Sequence, residues 1–172
     1  MTKEDIAYIA GFLDGDGCIM LQLVYRHDYV LGYQIRASIV FYQKQQYIDF
    51  LAELKEQLGY GYIRKRNDGM AEYTIVGVTP VQEVLLLLLP YIKLKKKQAE
   101  LSLRVLEKMP GTGNKISPKL LLKLAQEVDK FAFLNYSKRR TNTSSVVSEF
   151  LKSHNLLDSV ETDSQVRSNT RT

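Results

Sequence analysis

The chain has 172 residues with 24 Lys and Arg against 19 Asp and Glu, a net charge of +5, 45% hydrophobic residues and one Cys. That length fits a single domain with a core of its own, and one Cys excludes both a disulfide-framed scaffold and the Cys-rich zinc modules. The longest uncharged apolar run, residues 84–92, is broken by Pro90 and far shorter than the roughly 20 residues of a membrane span.

Residues 4–13 read as a short apolar helix that stops at Gly15 and Gly17. Strict alternation follows over 18–26 and 33–41, the mark of two half-buried strands. Residues 27–32 join them as a hairpin loop. Ile48, Leu51, Leu54 and Leu58 have helical spacing within 45–58, and Gly59 ends that helix. Residues 60–66 and 70–76 form a second hairpin around Asn67-Asp68-Gly69, a strong turn signal. Thr79-Pro80 opens a helix that ends near Pro90, and 92–109 reads as one long helix. Ser117-Pro118 is an N-cap followed by a first-turn proline, so 119–134 is helical. A last short helix is expected over 143–153. Residues 155–172 are polar and expected to be disordered. They carry Asp158, Glu161 and Asp163 against Arg167 and Arg171, a net −1, which leaves +6 on residues 1–154.

Two hairpins separated by a helix predict an α+β fold of αββαββα order. One four-stranded antiparallel sheet is covered by helices on a single face, and C-terminal helices follow. The odd-numbered strand residues are apolar and should meet the helices. The even-numbered set is Met20, Gln22, Val24, Arg26, Gln34, Arg36, Ser38, Val40, Arg64, Arg66, Glu72 and Thr74. Arg and Gln carry the donor and acceptor pairs that read guanine and adenine edges in a major groove. A plain solvated sheet face would have a similar polar pattern. Lys93, Lys95, Lys96 and Lys97 form one basic run, and Lys138-Arg139-Arg140 another. Both suit phosphates, or simply solvated helix ends.

The chemistry concentrates in Ile9-Ala10-Gly11-Phe12-Leu13-Asp14-Gly15-Asp16-Gly17. Two carboxylates stand where the first helix should stop, at the negative end of its dipole, a placement that costs a few tenths to about 1 kcal/mol each. A hard divalent cation would offset that cost, and an ordinary Asp-Gly turn that binds no ion is the alternative reading. A calcium-binding EF-hand is excluded, since its required Gly and Glu fall on Ile19 and Tyr25. His27 and His154 have no neighbours suited to a His-based nuclease site, and Cys18 reads as structural.

This stretch resembles the signature of the LAGLIDADG homing endonucleases, matching it at Ala10, Gly11, Asp14, Asp16 and Gly17. Phe41-Tyr42-Gln43-Lys44, Gly59-Tyr60-Gly61-Tyr62-Ile63-Arg64 and Leu94-Lys95-Lys96-Lys97-Gln98-Ala99 extend the likeness over about residues 3–153. It points in particular to the single-motif, homodimeric members encoded in group I introns of green-algal chloroplast ribosomal RNA genes.

The resemblance implies a domain over 1–154 that cuts both strands of a long pseudo-palindromic DNA site as a homodimer, leaving 3′ overhangs for intron mobility in the chloroplast. It makes Asp16 the metal ligand, helped by the Gly15 carbonyl, with Asp14 capping and orienting the motif helix. Gln43 positions water, and Lys95 stabilises the charged phosphate. A basic residue expected four positions after Gln43 is here Tyr47. Mg²⁺ is the implied cofactor, two or more ions per dimer, with Mn²⁺ or Ca²⁺ able to replace it in binding. No small-molecule cofactor or membrane is implied. The resemblance makes the even-numbered residues base readers, adds Asp28 and Tyr29 from the hairpin loop, and gives phosphate contacts to Ser137, Lys138 and Thr141. It also packs Ile9, Ala10, Gly11, Phe12 and Leu13 at the dimer axis. An RNA-binding maturase and a non-cleaving DNA-binding relative share the same fold and stand as alternatives.

Overall fold

Thr2 opens the first helix by a reciprocal cap. Its hydroxyl accepts the N–H of Asp5 at 3.2 Å, and its own N–H donates to the Asp5 carboxylate at 2.8 Å. In the computed structural model, which describes residues 1–111, 113–134 and 140–157, this helix, α1, runs Lys3–Asp16. It therefore extends past the expected stop at residue 13 and carries both motif carboxylates. Strands β1 (Gly17–Tyr25) and β2 (Tyr33–Lys44) follow, then a 3-10 turn at Gln45–Tyr47 and helix α2 (Ile48–Leu58). Strands β3 (Tyr62–Lys65) and β4 (Met70–Val76) form the second hairpin. Helices α3 (Val78–Leu88), α4 (Lys96–Glu107), α5 (Pro118–Asp129) and α6 (Ser144–Ser153) complete the chain, with a 3-10 turn at Lys130–Phe133 after α5.

The four strands make one antiparallel sheet, as the two hairpins predicted, and their order is β1-β2-β4-β3. Its register keeps parity throughout. Gln22 faces Arg36, Val40 faces Thr74 and Arg64 faces Glu72. Even-numbered residues of all four strands thus share one face, since side chains alternate along each strand. The odd face is the core, where Ile19, Leu21, Ile39, Phe41, Tyr73 and Ile75 are fully buried under the helices. Burial of each such side chain contributes about 1.5–3 kcal/mol.

An aromatic ladder fixes α1 on this layer. Phe12 stacks on Phe41 at 5.7 Å between ring centroids, and Phe41 stacks on Tyr73 at the same distance. Offset stacks of this kind contribute about 0.5–1.5 kcal/mol beyond area burial. Another cluster secures the far end of the β1–β2 hairpin, where Phe150 of α6 meets Tyr25 and Tyr33 edge-on. Gly32 beneath it has φ +67, and a Cβ there would lie 2.3 Å from the Phe150 ring, so no other residue fits.

Boundaries beyond that of α1 also depart from the sequence reading. The expected helix over 92–109 begins only at Lys96, because residues 93–95 donate their N–H groups to the Asp14 carboxylate. Leu156 and Leu157 pack against the core, so the ordered domain continues beyond 154. Residues 158–172 of the expected tail, with Ser137, Lys138 and Arg139, lie outside the described residues.

Ser102 of α4 is fully buried, and its hydroxyl has no hydrogen-bond partner among the described residues. Such a group costs about 1–3 kcal/mol. Ser102→Ala is expected to raise unfolding stability by about 1 kcal/mol, or roughly 2–4 °C in Tm, as read by thermal and denaturant titration. A loss of stability would show that the hydroxyl is satisfied.

Candidate functional site

The two motif carboxylates have opposite surroundings. Asp14 Oδ2 accepts the N–H of Lys93 at 2.7 Å and of Leu94 at 3.0 Å, and its Oδ1 accepts the N–H of Lys95 at 3.0 Å. These donors belong to the turn that leads into α4, so one carboxylate caps a helix 80 residues away. Partial burial alone would raise the Asp14 carboxyl, but the three N–H donors and the Lys95 charge outweigh it and hold it below the usual carboxylate range. The Lys95 ammonium turns back and donates to the Asp14 carbonyl oxygen. Asp14 is thus structurally engaged through both its carboxylate and its backbone.

Asp16, the last residue of α1, is exposed and has no hydrogen-bond or ion-pair partner among the described residues. It stands at the negative end of the helix, beside carbonyl groups that no helical N–H satisfies. Gly15, also exposed, precedes it. Gly17 pairs with Phe41, so Gln43, two residues farther along β2, lies at the same end of the sheet. Gln43 Oε1 accepts its neighbour's N–H, that of Lys44, at 2.9 Å. Asp16, Lys95 and Gln43 are therefore brought to one end of the molecule. Among the described residues no group of three His, Cys, Asp or Glu side chains could hold a metal ion. One chain offers a hard cation a single carboxylate here.

A cleft of about 820 Å³ begins at this end and runs along β1. Gly15, Gly17, Lys95, Gln22 and Val24 line it together with Thr141. The strap that closes its outer side was not foreseen as structural. Arg140 donates to Val128 O at 2.9 Å and Leu21 O at 3.5 Å, and Asn142 donates to Leu23 O at 2.9 Å. These side chains cover the open carbonyls of an edge strand. Arg140, read from sequence as part of a basic run, is committed to this work, and burial lowers its pKa. Asn142 gave no signal in sequence, since a polar residue in a polar loop has neither period nor charge. Thr141 is held between the two and is exposed.

The even sheet face is open only in part. Gln22, Arg26, Asp28, Arg64 and Arg66 are exposed, and Met20, Val24, Tyr29, Gln34 and Arg36 are half-buried. Ser38, Val40, Glu72 and Thr74 are buried, which corrects the expectation of an open face along its whole length. All four lie on the central strands β2 and β4, where flanking side chains close over the floor. Glu72 is paired there with Arg64 at 2.8 Å and Arg66 at 3.7 Å. Tyr29 also packs partly against the core.

The α1 residues expected at a dimer axis divide in the same way. Ile9, Ala10 and Leu13 point into the protomer's own core and are buried. A helix has one inward stripe, and these three occupy it. The outward stripe holds Glu4, Tyr8, Gly11 and Gly15, with Phe12 half-buried at its margin. A Cβ built on Gly11 or Gly15 would meet nothing within 4 Å.

Residues 9–103 match the family described as LAGLIDADG endonuclease. The chain is 43% identical over 146 residues to DNA endonuclease I-CvuI of Chlorella vulgaris, covering 85% of this chain and 89% of that one. It is 38% identical over 152 residues to DNA endonuclease I-CreI of Chlamydomonas reinhardtii, covering 88% and 91%. Its fold superposes on crystallised I-CvuI bound to its DNA target in the presence of calcium with a TM-score of 0.82, covering 88% of this chain and 95% of that one.

The Asp14 contacts yield a stability prediction. Asp14→Ala is expected to cost about 1–2 kcal/mol at neutral pH, the scale of a lost cap and its charged acceptor. Because the folded pKa of Asp14 is depressed, its contribution is complete above the ordinary carboxylate range and is lost as pH falls through the lowered value. The gap between parent and variant should therefore close in acid, which a series of urea titrations from neutral to low pH would measure. A gap independent of pH would contradict this account.

Proposed function

The chain belongs to the LAGLIDADG endonuclease family, and we propose that two copies of it form a metal-dependent, site-specific DNA endonuclease whose centre is Asp16. The observation that carries this reading is the unpartnered, exposed carboxylate at the end of α1, beside the Lys95 ammonium and at one end of a polar sheet face. Asp14, its neighbour, is fully engaged, so only Asp16 is free to bind a cation.

The donors suit a hard divalent ion such as Mg²⁺. One carboxylate and the helix-end carbonyl of Gly15 are oxygen ligands, and a second copy of the chain would supply the same set again. Bound there, such an ion would lower the pKa of its water and stabilise charge on phosphate oxygens. Two or more ions per dimer are proposed, and Mn²⁺ or Ca²⁺ would satisfy the same donors in binding. Lys95 is fixed by the Asp14 carbonyl and places its positive charge where a phosphate's negative charge grows during cleavage. Gln43, anchored through its carbonyl oxygen, keeps its amide group available to orient a water molecule.

The exposed and half-buried even-numbered residues read base edges in the major groove. Gln22, Gln34, Arg36, Arg64 and Arg66 have the right donors and acceptors, and Met20 and Val24 suit thymine methyl groups. Ser38, Val40 and Thr74 lie beneath them and support the face rather than touch DNA. Thr141, with Ser137 and Lys138, contacts phosphates. The outward stripe of α1 meets its copy at a two-fold axis, where Gly11 and Gly15 allow close backbone approach. The target is then pseudo-palindromic and cut with 3′ overhangs. Intron mobility in a chloroplast is the setting consistent with relatives from green algae.

The deciding experiment is a cleavage selection on a plasmid library of pseudo-palindromic sites, with Mg²⁺ and with EDTA. Metal-dependent linear product from a narrow set of sites is expected. Asp16→Asn should lower cleavage by about 10³-fold or more, since lost charge stabilisation of this kind costs at least 10²–10³, while DNA binding persists. Selective binding by the parent without any cutting would refute the enzyme. Gly11→Glu tests the axis. The Cβ is unobstructed within one chain, so the fold should hold, yet sedimentation should show monomers and double-strand cutting should vanish. A dimer that survives this change would place the axis elsewhere.

A further inference from the structure

One charged pair at the tip of the β1–β2 hairpin has a geometry that says more than its place on the even-numbered face. Arg26 is the first residue past β1 and continues its even-numbered face. Its N–H donates to Gly32 O at 2.7 Å and closes the hairpin. Two residues later Asp28 turns its carboxylate back onto the guanidinium. Arg26 Nε donates to Oδ1 at 2.8 Å, and Nη2 donates to Oδ2 at 2.5 Å. Both side chains are about half exposed. An exposed pair of this kind contributes little to stability, so its value must lie in what it does to the arginine.

A guanidinium has two edges that can form paired hydrogen bonds. Asp28 occupies the Nε/Nη2 edge of Arg26. The Nη1/Nη2 edge has Nη1 unbonded among the described residues, and it matches the O6 and N7 acceptors of guanine in a major groove. A bare surface arginine would swing between base and phosphate. Here the negative Asp28 both restrains the guanidinium and repels phosphate from it. The support beneath is firm, because Tyr29 N–H donates to Arg26 O, Gly32 N–H donates to Tyr29 O, and Phe150 sits against Gly32. Arg26 also lines one cleft with Gln34 and Arg36, on the same face.

The second hairpin repeats the spacing with a different result. Arg66 Nη2 donates to Asp68 at 2.9 Å, while its Nη1 lies 3.7 Å from Glu72. Both terminal nitrogens of Arg66 thus face a carboxylate, whereas among the described residues Arg26 is held along its Nε/Nη2 edge and keeps Nη1 open for a base. The hydrogen bonds from Arg26 hold the Asp28 carboxyl down to about 2, so the pair persists wherever duplex DNA does.

We propose that Asp28 is a positioning residue that presents Arg26 as a fixed guanine reader, once in each half-site of the DNA target. This rests on the endonuclease reading above and adds the base identity and the residue that enforces it.

The test is selection of bound duplexes from a randomised library by the full-length protein in Ca²⁺, followed by affinity measurement over a range of salt. The parent should enrich guanine at one symmetric pair of positions assigned to Arg26. Asp28→Asn should reduce that preference about tenfold, within the range of one bidentate base contact, and leave the other positions unchanged, which also shows that the variant is folded. Arg26→Lys keeps the charge but not the fork, so it should abolish the preference with the salt dependence intact. A parent-like profile for Asp28→Asn would overturn the proposal. So would guanine preference retained by Arg26→Lys, or an Arg26→Ala variant that changes only the salt slope, by about 0.9 per lost phosphate contact. If the parent selects no sequence at all, the endonuclease reading fails first and this inference with it. A selective parent with unaltered variants refutes only the inference.

Discussion

The bond set between Asp14 and the turn before α4 holds the active end together. Three backbone N–H groups converge on one carboxylate, and the Lys95 ammonium returns to the Asp14 carbonyl. The two links run in opposite senses, side chain to backbone and backbone to side chain, so neither helix end can turn without breaking the other. Each helix end also receives the charge that suits it. The start of α4 gains an anion, and the end of α1 gains a cation. The spare carboxylate at Asp16 is thereby held in place by bonds it does not itself make. A site that binds a metal must leave its ligand free, and rigidity then has to come from a neighbour.

The sheet meets a related constraint by parity. One face buries the apolar odd residues, and any one-residue slip would exchange the faces of the whole strand. The Phe12, Phe41 and Tyr73 stack crosses from α1 to two strands and opposes such a slip. On the other face the central floor of Ser38, Val40 and Thr74 is closed, while longer side chains stand around it. The surface offered to a partner is thus made of the longer polar side chains that flank a buried centre.

Most of this could be read from the sequence, for identifiable reasons. Strand alternation and the Asn67-Asp68-Gly69 turn are local signals, and they led to the right sheet and the right face. Family likeness named Asp16 from the nine-residue motif and Lys95 from the later Leu94–Ala99 stretch, and the fold brings the two to the same end of the molecule. The misreadings all involve partners distant in sequence. The start of α4 was placed too early because helical spacing in 92–95 cannot reveal a carboxylate 80 residues away that claims its N–H groups. Arg140 reads from sequence as part of a basic run for phosphates or a solvated helix end, because a guanidinium looks the same whether it faces solvent or two buried carbonyls. Ile9, Ala10 and Leu13 were assigned to a dimer axis because a short motif does not say which stripe of its helix faces inward.

The acidic residues explain how a chain of only moderate positive charge can be selective. A DNA-binding surface made of unrestrained arginines would bind any phosphate backbone, and its affinity would be mostly counterion release. Here Asp28, Asp68 and Glu72 each hold an arginine within the sheet region. Every such pair removes a free cation from the generic attraction and returns a fixed donor geometry. The net charge of +5 is the balance of 24 basic against 19 acidic residues, and three of those acids stand against arginines of the sheet region. On the proposed reading, affinity for arbitrary sequence is given up at each pair, and discrimination between sequences is gained. Asp16 shows the other side of this division. Among the described residues it has no cation of its own from the chain, which is the condition a carboxylate must meet to take one from solution.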